Sequence, residues 1–206
     1  METRNAETAQ WAQAPCTAFL DSHRVASGAL RQVVSAVKQV VDADQKASVL
    51  IFDDATGATV EVDLRGSDDD VLKRLTPDTT GQEAPPGPGR PRLGVVAREV
   101  TLLPRHWDWL NRQPGGASVA LRKLVEEARR THKDRDLIRQ SQEAAYRFLS
   151  VMAGDRPGFE EAARALFTGD EKQFNTMILT WPADIQEYAR RLADVALHGP
   201  PGGGAA

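Results

Sequence analysis

The run Ala84-Pro85-Pro86-Gly87-Pro88-Gly89 can hold neither helix nor strand. Each proline fixes φ and lacks a backbone donor, so this stretch is extended. With its flanks it predicts a Pro/Gly-rich linker over residues 77–97 that ends in basic residues. The linker divides a chain of 206 residues into halves with different hydrophobic periods. The expected fold is α+β: a small N-terminal ββαββ-like unit, the linker, then a short strand and a mostly helical C-terminal half.

The first half, residues 16–76, carries the strand signals. Thr17–Leu20 and Arg24–Ala26 read as short strands around an Asp21-Ser22-His23 turn. Leu30, Val33, Val34, Val37 and Val41 follow helical spacing, which predicts an amphipathic helix over Ala29–Val41. Val49–Phe52 is a short apolar strand. Asp53-Asp54-Ala55-Thr56-Gly57 is a turn with glycine where φ must be positive. Val60, Val62 and Leu64 alternate with Thr59, Glu61 and Asp63, the pattern of a half-exposed strand. Ser67 before Asp68, Asp69 and Asp70 opens a short helix, because its free amides favour carboxylates.

Beyond the linker, Glu99–Leu103 has strand character and Pro104 can open a helix. Gln113-Pro114-Gly115-Gly116 ends that helix. Ser118 is a candidate N-cap for the next, whose apolar stripe is Leu121, Leu124, Val125 and Ala128. This strand-helix-helix segment covers residues 98–135. A helical region follows over 136–197, with one buried face at Ile138, Ala145, Phe148, Leu149 and Met152. Helices are expected over Phe159–Phe167, Asp170–Leu179 and Pro182–Leu197, punctuated by Asp155-Arg156-Pro157-Gly158, Gly169-Asp170 and Trp181-Pro182. Residues 1–15 and 198–206 read as disordered tails.

The formal net charge of -3 conceals segregation. Residues 1–89 hold 8 basic and 14 acidic side chains, residues 90–139 hold 12 and 6, and residues 140–206 hold 6 and 9. The middle segment is a localised positive field that can attract phosphate backbones inside an acidic chain. The bland alternative is a solvated helix face, or a patch neutralised by acidic neighbours.

Arg98-Glu99-Val100-Thr101-Leu102-Leu103-Pro104-Arg105-His106-Trp107, followed by Gly115-Gly116-Ala117-Ser118-Val119-Ala120-Leu121-Arg122-Lys123-Leu124, resembles a ribbon-helix-helix domain. In that family two chains pair their strands, and the ribbon enters the major groove of double-stranded DNA. The resemblance implies a homodimer through Glu99 to Leu103. It also implies a phosphate clamp of Ser118 and the Gly116–Val119 backbone at a helix N-terminus, flanked by Arg122 and Lys123. The strand register stays open. With Leu103 buried, Arg98, Val100 and Leu102 face the groove; a slip of one residue turns Thr101 and Leu103 outward. Upstream, Gly89-Arg90-Pro91-Arg92 carries the Gly-Arg-Pro core of an AT-hook, in which an extended arginine lies in the narrow minor groove. The basic residue usual before the glycine is Pro88 here. Candidate DNA contacts are therefore Arg90, Arg92, Arg98, Arg105, Gly116, Ser118, Arg122 and Lys123.

No catalytic constellation emerges. Val49-Leu50-Ile51-Phe52-Asp53-Asp54-Ala55-Thr56 resembles the strand-then-aspartate start of haloacid-dehalogenase phosphatases, but position 55 is Ala where the second aspartate is needed. His23, His106, His132 and His198 are far apart, and none has a second ligand at metal spacing. Cys16 is a lone cysteine, which excludes a disulfide framework. Trp107, Trp109 and Trp181 could stack on bases, although their positions beside Leu110 and Pro182 suit a core. No phosphate-binding loop or nucleophile elbow is present. A non-enzymatic chain without cofactor is expected. The polar N-terminus and the lack of a long apolar run predict a soluble cytoplasmic protein that does not enter a membrane.

Further strings span the chain: Thr17-Ala18-Phe19-Leu20, Leu50-Ile51-Phe52-Asp53-Asp54-Ala55-Thr56-Gly57, Leu93-Gly94-Val95-Val96-Ala97, Phe159-Glu160-Glu161-Ala162 and Trp181-Pro182. Together with the segments above they resemble the bacterial domain-of-unknown-function family 2239. That resemblance implies length and architecture and carries no activity. Two functional readings follow: a DNA-binding regulatory protein, or an adaptor whose helical half docks a protein partner.

Overall fold

The computed structural model describes residues 12–44, 46–75 and 98–200. They fall into two units, one within Met1–Asp78 and Asp134–Ala206, the other within Thr79–Lys133. The linker with its Arg90 and Arg92 lies outside the described residues, as do residues 1–11 and 201–206.

The first unit contains a three-stranded antiparallel sheet. β1 (Pro15–Leu20) lies between β2 (His23–Ala29) and β3 (Val49–Asp53). β1 and β2 join through a tight turn in which Asp21 takes φ 51°, a left-handed conformation that aspartate tolerates. β1 is buried on both faces. Cys16 and Ala18 pack with Leu30, Val33, Val34 and Val37 of α1 (Leu30–Ala43), and Ile51 of β3 joins them. Val71 and Leu75 of α2 (Asp68–Leu75) complete this layer. The start of α2 is a capping box: the Ser67 hydroxyl accepts from the Asp70 amide at 3.3 Å, and the Asp70 carboxylate accepts from the Ser67 amide at 3.0 Å.

The expected fourth strand does not form. After β3 the chain turns back, Val60 N–H donates to the Ile51 carbonyl at 2.8 Å, and one isolated bridge joins Phe52 to Thr59. Beyond that the ladder stops. Val60, Val62 and Leu64 still pack on the α1 side while Thr59, Glu61 and Asp63 face solvent. An extended backbone buries alternate residues whether or not a neighbour hydrogen-bonds to it, so the period of two holds without a strand. Arg74 fixes this segment from α2 by donating to the carbonyls of Asp63 and Arg65.

The other sheet face meets helices. These are the later turns of α4 (Gly116–Met152), α5 (Phe159–Thr168), α6 (Glu171–Ile178) and α7 (Ala183–His198). α4 runs 37 residues, because no glycine or proline interrupts residues 117–153. It joins what the sequence shows as two helical stretches. His198, expected in the tail, ends α7, where its Nδ1 contacts Asp194 and its Nε2 contacts Glu171.

Phe19 and Phe52 from the sheet meet Phe148 of α4 and Tyr188 of α7. Ring centroids lie 4.6 Å apart for Phe148 and Tyr188, 5.0 Å for Phe52 and Phe148, and 5.4 Å for Phe19 and Tyr188. These near-perpendicular contacts set positive ring edges against negative faces. The Tyr188 hydroxyl donates to Asp54 Oδ1 at 2.8 Å. Thr17 and Arg191 converge on the same oxygen, at 2.8 and 2.9 Å. Burial, with the Asp54 carboxylate beside it, pushes the Tyr188 phenol pKa well up.

Phe148→Ala deletes the ring shared by all three partners. The expected loss of stability is about 3–5 kcal/mol, read as a lower urea midpoint at unchanged slope. A change below about 1 kcal/mol would show that the cluster does not hold the sheet to the helices.

Candidate nucleic-acid interface

In the second unit, residues 98–103 form no strand. A strand exists only as half of a ladder, and no described residue of the chain pairs with this segment. α3 (Pro104–Asn111) begins at the Leu-Pro junction, with Pro104 in the first turn. It ends in a tight turn: Arg112 N–H donates to Trp109 O at 3.2 Å and Gly116 N–H to Gln113 O at 2.9 Å. Gly115 sits there at φ +86°, and a Cβ on it would meet Val119 at 3.1 Å.

Helix α4 starts at Gly116, two residues before the expected cap. Ser118 is therefore inside the first turn and does not cap it. Its carbonyl accepts from Arg122 Nε at 3.1 Å. The amides of Ala117, Ser118 and Val119 belong to the turn in which a helix has no acceptor of its own. Gly116, Ser118, Arg122 and Lys123 thus share the first two turns of one helix. Arg105 is the second residue of α3, and Arg98 lies in the irregular stretch before it.

The expected apolar stripe of α4 is not a core. Leu124 is 44% exposed and Val125 56%, and Ala128 is exposed too. The two tryptophans expected in a core at α3, Trp107 and Trp109, are also exposed, whereas Trp181 is buried and donates from Nε1 to Pro157 O at 2.9 Å. Among the described residues of this unit only Leu110 and Ala120 are buried. Periodicity reports an amphipathic helix but not what covers its apolar side.

Charge distinguishes this unit most. Arg98, Arg105, Arg112, Arg122, Lys123, Arg129, Arg130 and Lys133 are all exposed. Among the described residues only Arg129 of these holds a carboxylate, Glu126 at 2.9 Å. Arg112, Arg130 and Lys133 extend the basic set beyond the contacts carried over from the ribbon-helix-helix likeness, and the net charge of the segment is the signal that points to them.

The groups that the sequence offers for chemistry take structural places among the described residues. Asp53 Oδ1 accepts from the Ala55 and Thr56 amides at 3.0 and 2.8 Å, and Gly57 follows at φ +65° against the Ala144 carbonyl. The aspartate pair is thus a turn packed on α4. Burial, then Asp53 and Asp54, pushes the Cys16 thiol up to about 12, the opposite of an activated nucleophile. No group of three metal-ligating side chains occurs among the described residues. A cleft of 290 Å³ in the first unit includes Arg156, already committed to Ser22 Oγ at 2.9 Å and Met152 O at 3.2 Å. No helix among the described residues is long and apolar enough to cross a membrane.

Fold and surface define an α+β protein with an aromatic core in its first unit and a basic helical segment in its second. The chain belongs to the bacterial domain-of-unknown-function family 2239, described as uncharacterised proteins conserved in bacteria, which it matches over residues 15–193. No curated protein and no solved structure matches it.

Gly115→Ala places a side chain at a left-handed position against Val119. It should cost about 1–2 kcal/mol, confined to the α3–α4 turn. Hydrogen exchange should speed up over residues 104–120 and stay unchanged in α7. Unchanged exchange at the turn would contradict this role for Gly115.

Proposed function

We propose that the chain is a non-enzymatic DNA-binding protein, regulatory in role, that contacts double-stranded DNA through its second unit as a homodimer. The observation that carries the proposal is the run of exposed cations over residues 98–133, of which only Arg129 is ion-paired to a carboxylate among the described residues. Cations kept free of carboxylates remain available to phosphates, whose counterions they displace. The first turn of α4, with Gly116 and Ser118 followed by Arg122 and Lys123, supplies amide donors and a positive dipole end to one phosphate. Arg98 and Arg105 lie upstream, and Arg90 and Arg92 would extend the contact into the minor groove.

The dimer has separate support. Val100 is 54% exposed, Leu103 50% and Val125 56%, in a segment with two buried side chains. A unit this small rarely holds itself together without a partner. A second copy pairing Glu99 to Leu103 would satisfy the unpaired backbone and cover Leu103. The competing reading, a protein partner docked on the helical half, draws on Phe167 and Leu179, 51% and 68% exposed.

Gel shift on random duplex separates the two readings. Wild type should bind at micromolar concentration in low salt, with affinity falling by about 0.9 log units per phosphate contact for each log unit of salt. Arg98→Ala and Arg122→Ala should each weaken binding and lower that slope by about one. Absence of any shift removes the DNA proposal and leaves the adaptor. Light scattering tests the dimer: Leu103→Glu should give a monomer from a dimeric wild type, and a wild type monomeric at high concentration rules out the ribbon.

A further inference from the structure

Helix α3 has two opposed faces. Leu103 at its N-cap, Trp107 and Leu110 follow one another at spacings of four and three, and form its apolar side. Arg105, Trp109 and Arg112 follow the same spacing half a turn away. The face opposite the apolar one is therefore a tryptophan with an arginine one turn to either side. Trp109 is 52% exposed, and among the described residues no ring and no cation packs on it. Arg105 and Arg112 are exposed and form no ion pair among the described residues. Asp108, on the flank, is the one acidic residue of the helix.

We propose that this face binds unpaired nucleic acid, with one base stacked on Trp109 and the flanking phosphates held by Arg105 and Arg112. The inference rests on the DNA-binding reading above and adds a class of substrate to it. Charge selects the occupant. This aromatic face is flanked by guanidinium groups within the most basic segment of the chain, with Asp108 the one acidic residue of its helix, so it suits a polyanion. A strongly positive strip with an interleaved aromatic is the arrangement that follows a phosphate backbone and stacks its bases. Duplex bases present only their edges in the grooves, so a flat indole on a helix surface has no face to meet there. An unpaired base offers that face. Trp109 and Trp107 point to different sides of α3 and so serve different partners.

The test compares a labelled oligothymidylate of about 12 nucleotides with a duplex of equal length, by fluorescence anisotropy on the full chain. Trp109→Ala should weaken single-strand binding by about 5- to 150-fold, the worth of one base stack, and leave duplex binding within about twofold. Trp109→Tyr keeps a stacking ring and should retain most of the affinity. Arg105→Ala and Arg112→Ala should each lower the single-strand salt slope by about 0.7. These last variants decide the matter if Trp109→Ala alters the circular dichroism spectrum. Equal single-strand affinity in wild type and Trp109→Ala, with duplex binding intact, overturns the stacking site and leaves the DNA proposal standing. A wild type that binds neither probe overturns both. A change of mass in light scattering for Trp109→Ala assigns the ring to a protein contact and overturns the site.

Discussion

Four rings and one carboxylate hold the first unit together. Phe19 and Phe52 come from the start of the chain, Phe148 and Tyr188 from its last third, and Asp54 accepts from Tyr188, Thr17 and Arg191 at a single oxygen. The aromatic contacts supply apolar burial, which has no direction of its own. The Asp54 bonds give it direction, since the Tyr188 hydroxyl can reach that oxygen only with α7 at one rotation against the sheet. A half-buried carboxylate is stable there because three donors meet it, so the pieces depend on each other. Arg191 also lies 4.5 Å above the Tyr188 ring, adding a cation to the aromatic face.

That closure between distant parts of the sequence has a consequence for what lies between them. Once residues near 19 and 52 are committed to residues near 148 and 188, the intervening segment is excused from making the core. Residues 98–133 have two buried side chains and keep valines, leucines and tryptophans at the surface. The first unit holds a core of its own, with a sheet covered on both faces.

Much of the first unit is legible in the sequence. The α1 stripe at Leu30, Val33, Val34 and Val37 and the Asp53–Gly57 turn are local, and local geometry is what spacing and turn residues encode. Four features of the two units are not legible there. The alternation at Val60, Val62 and Leu64 reads as a strand, yet alternation records burial and not the ladder. Ser118 reads as a cap, but Gly115 and Gly116 at φ +86° and +75° let the helix begin earlier. The exposure of Trp109, Leu124 and Val125 depends on what is absent from around them, which no pattern within a helix can report. Joining Phe19 to Tyr188 needs contacts between residues far apart in the chain, beyond any sequence window. Of the candidate interface, the position on α3 and α4 was legible, while Arg112, Arg130 and Lys133 were hidden in the net count.

The two units differ less in how many cations they carry than in what those cations do. In the first unit Arg24 is tied to Glu187, Lys38 to Asp42, Arg65 to Asp63 and Arg191 to Asp54. The Arg24 hydrogen bond holds the Glu187 carboxyl below its ordinary range, and Arg65 does the same to Asp63. Those charges are spent on the fold, and their fields cancel within a few ångströms. In the second unit the carboxylates Glu99, Asp108 and Glu127 form no ion pair with the cations near them in sequence. Unpaired like charges along one helix repel, which costs stability that a folded chain would otherwise gain by pairing. A polyanion placed along such a helix would remove that repulsion, which is the physical basis of the proposed DNA contact. Net charge, pairing and exposure together, rather than any single residue, are what direct the functional reading to residues 98–133.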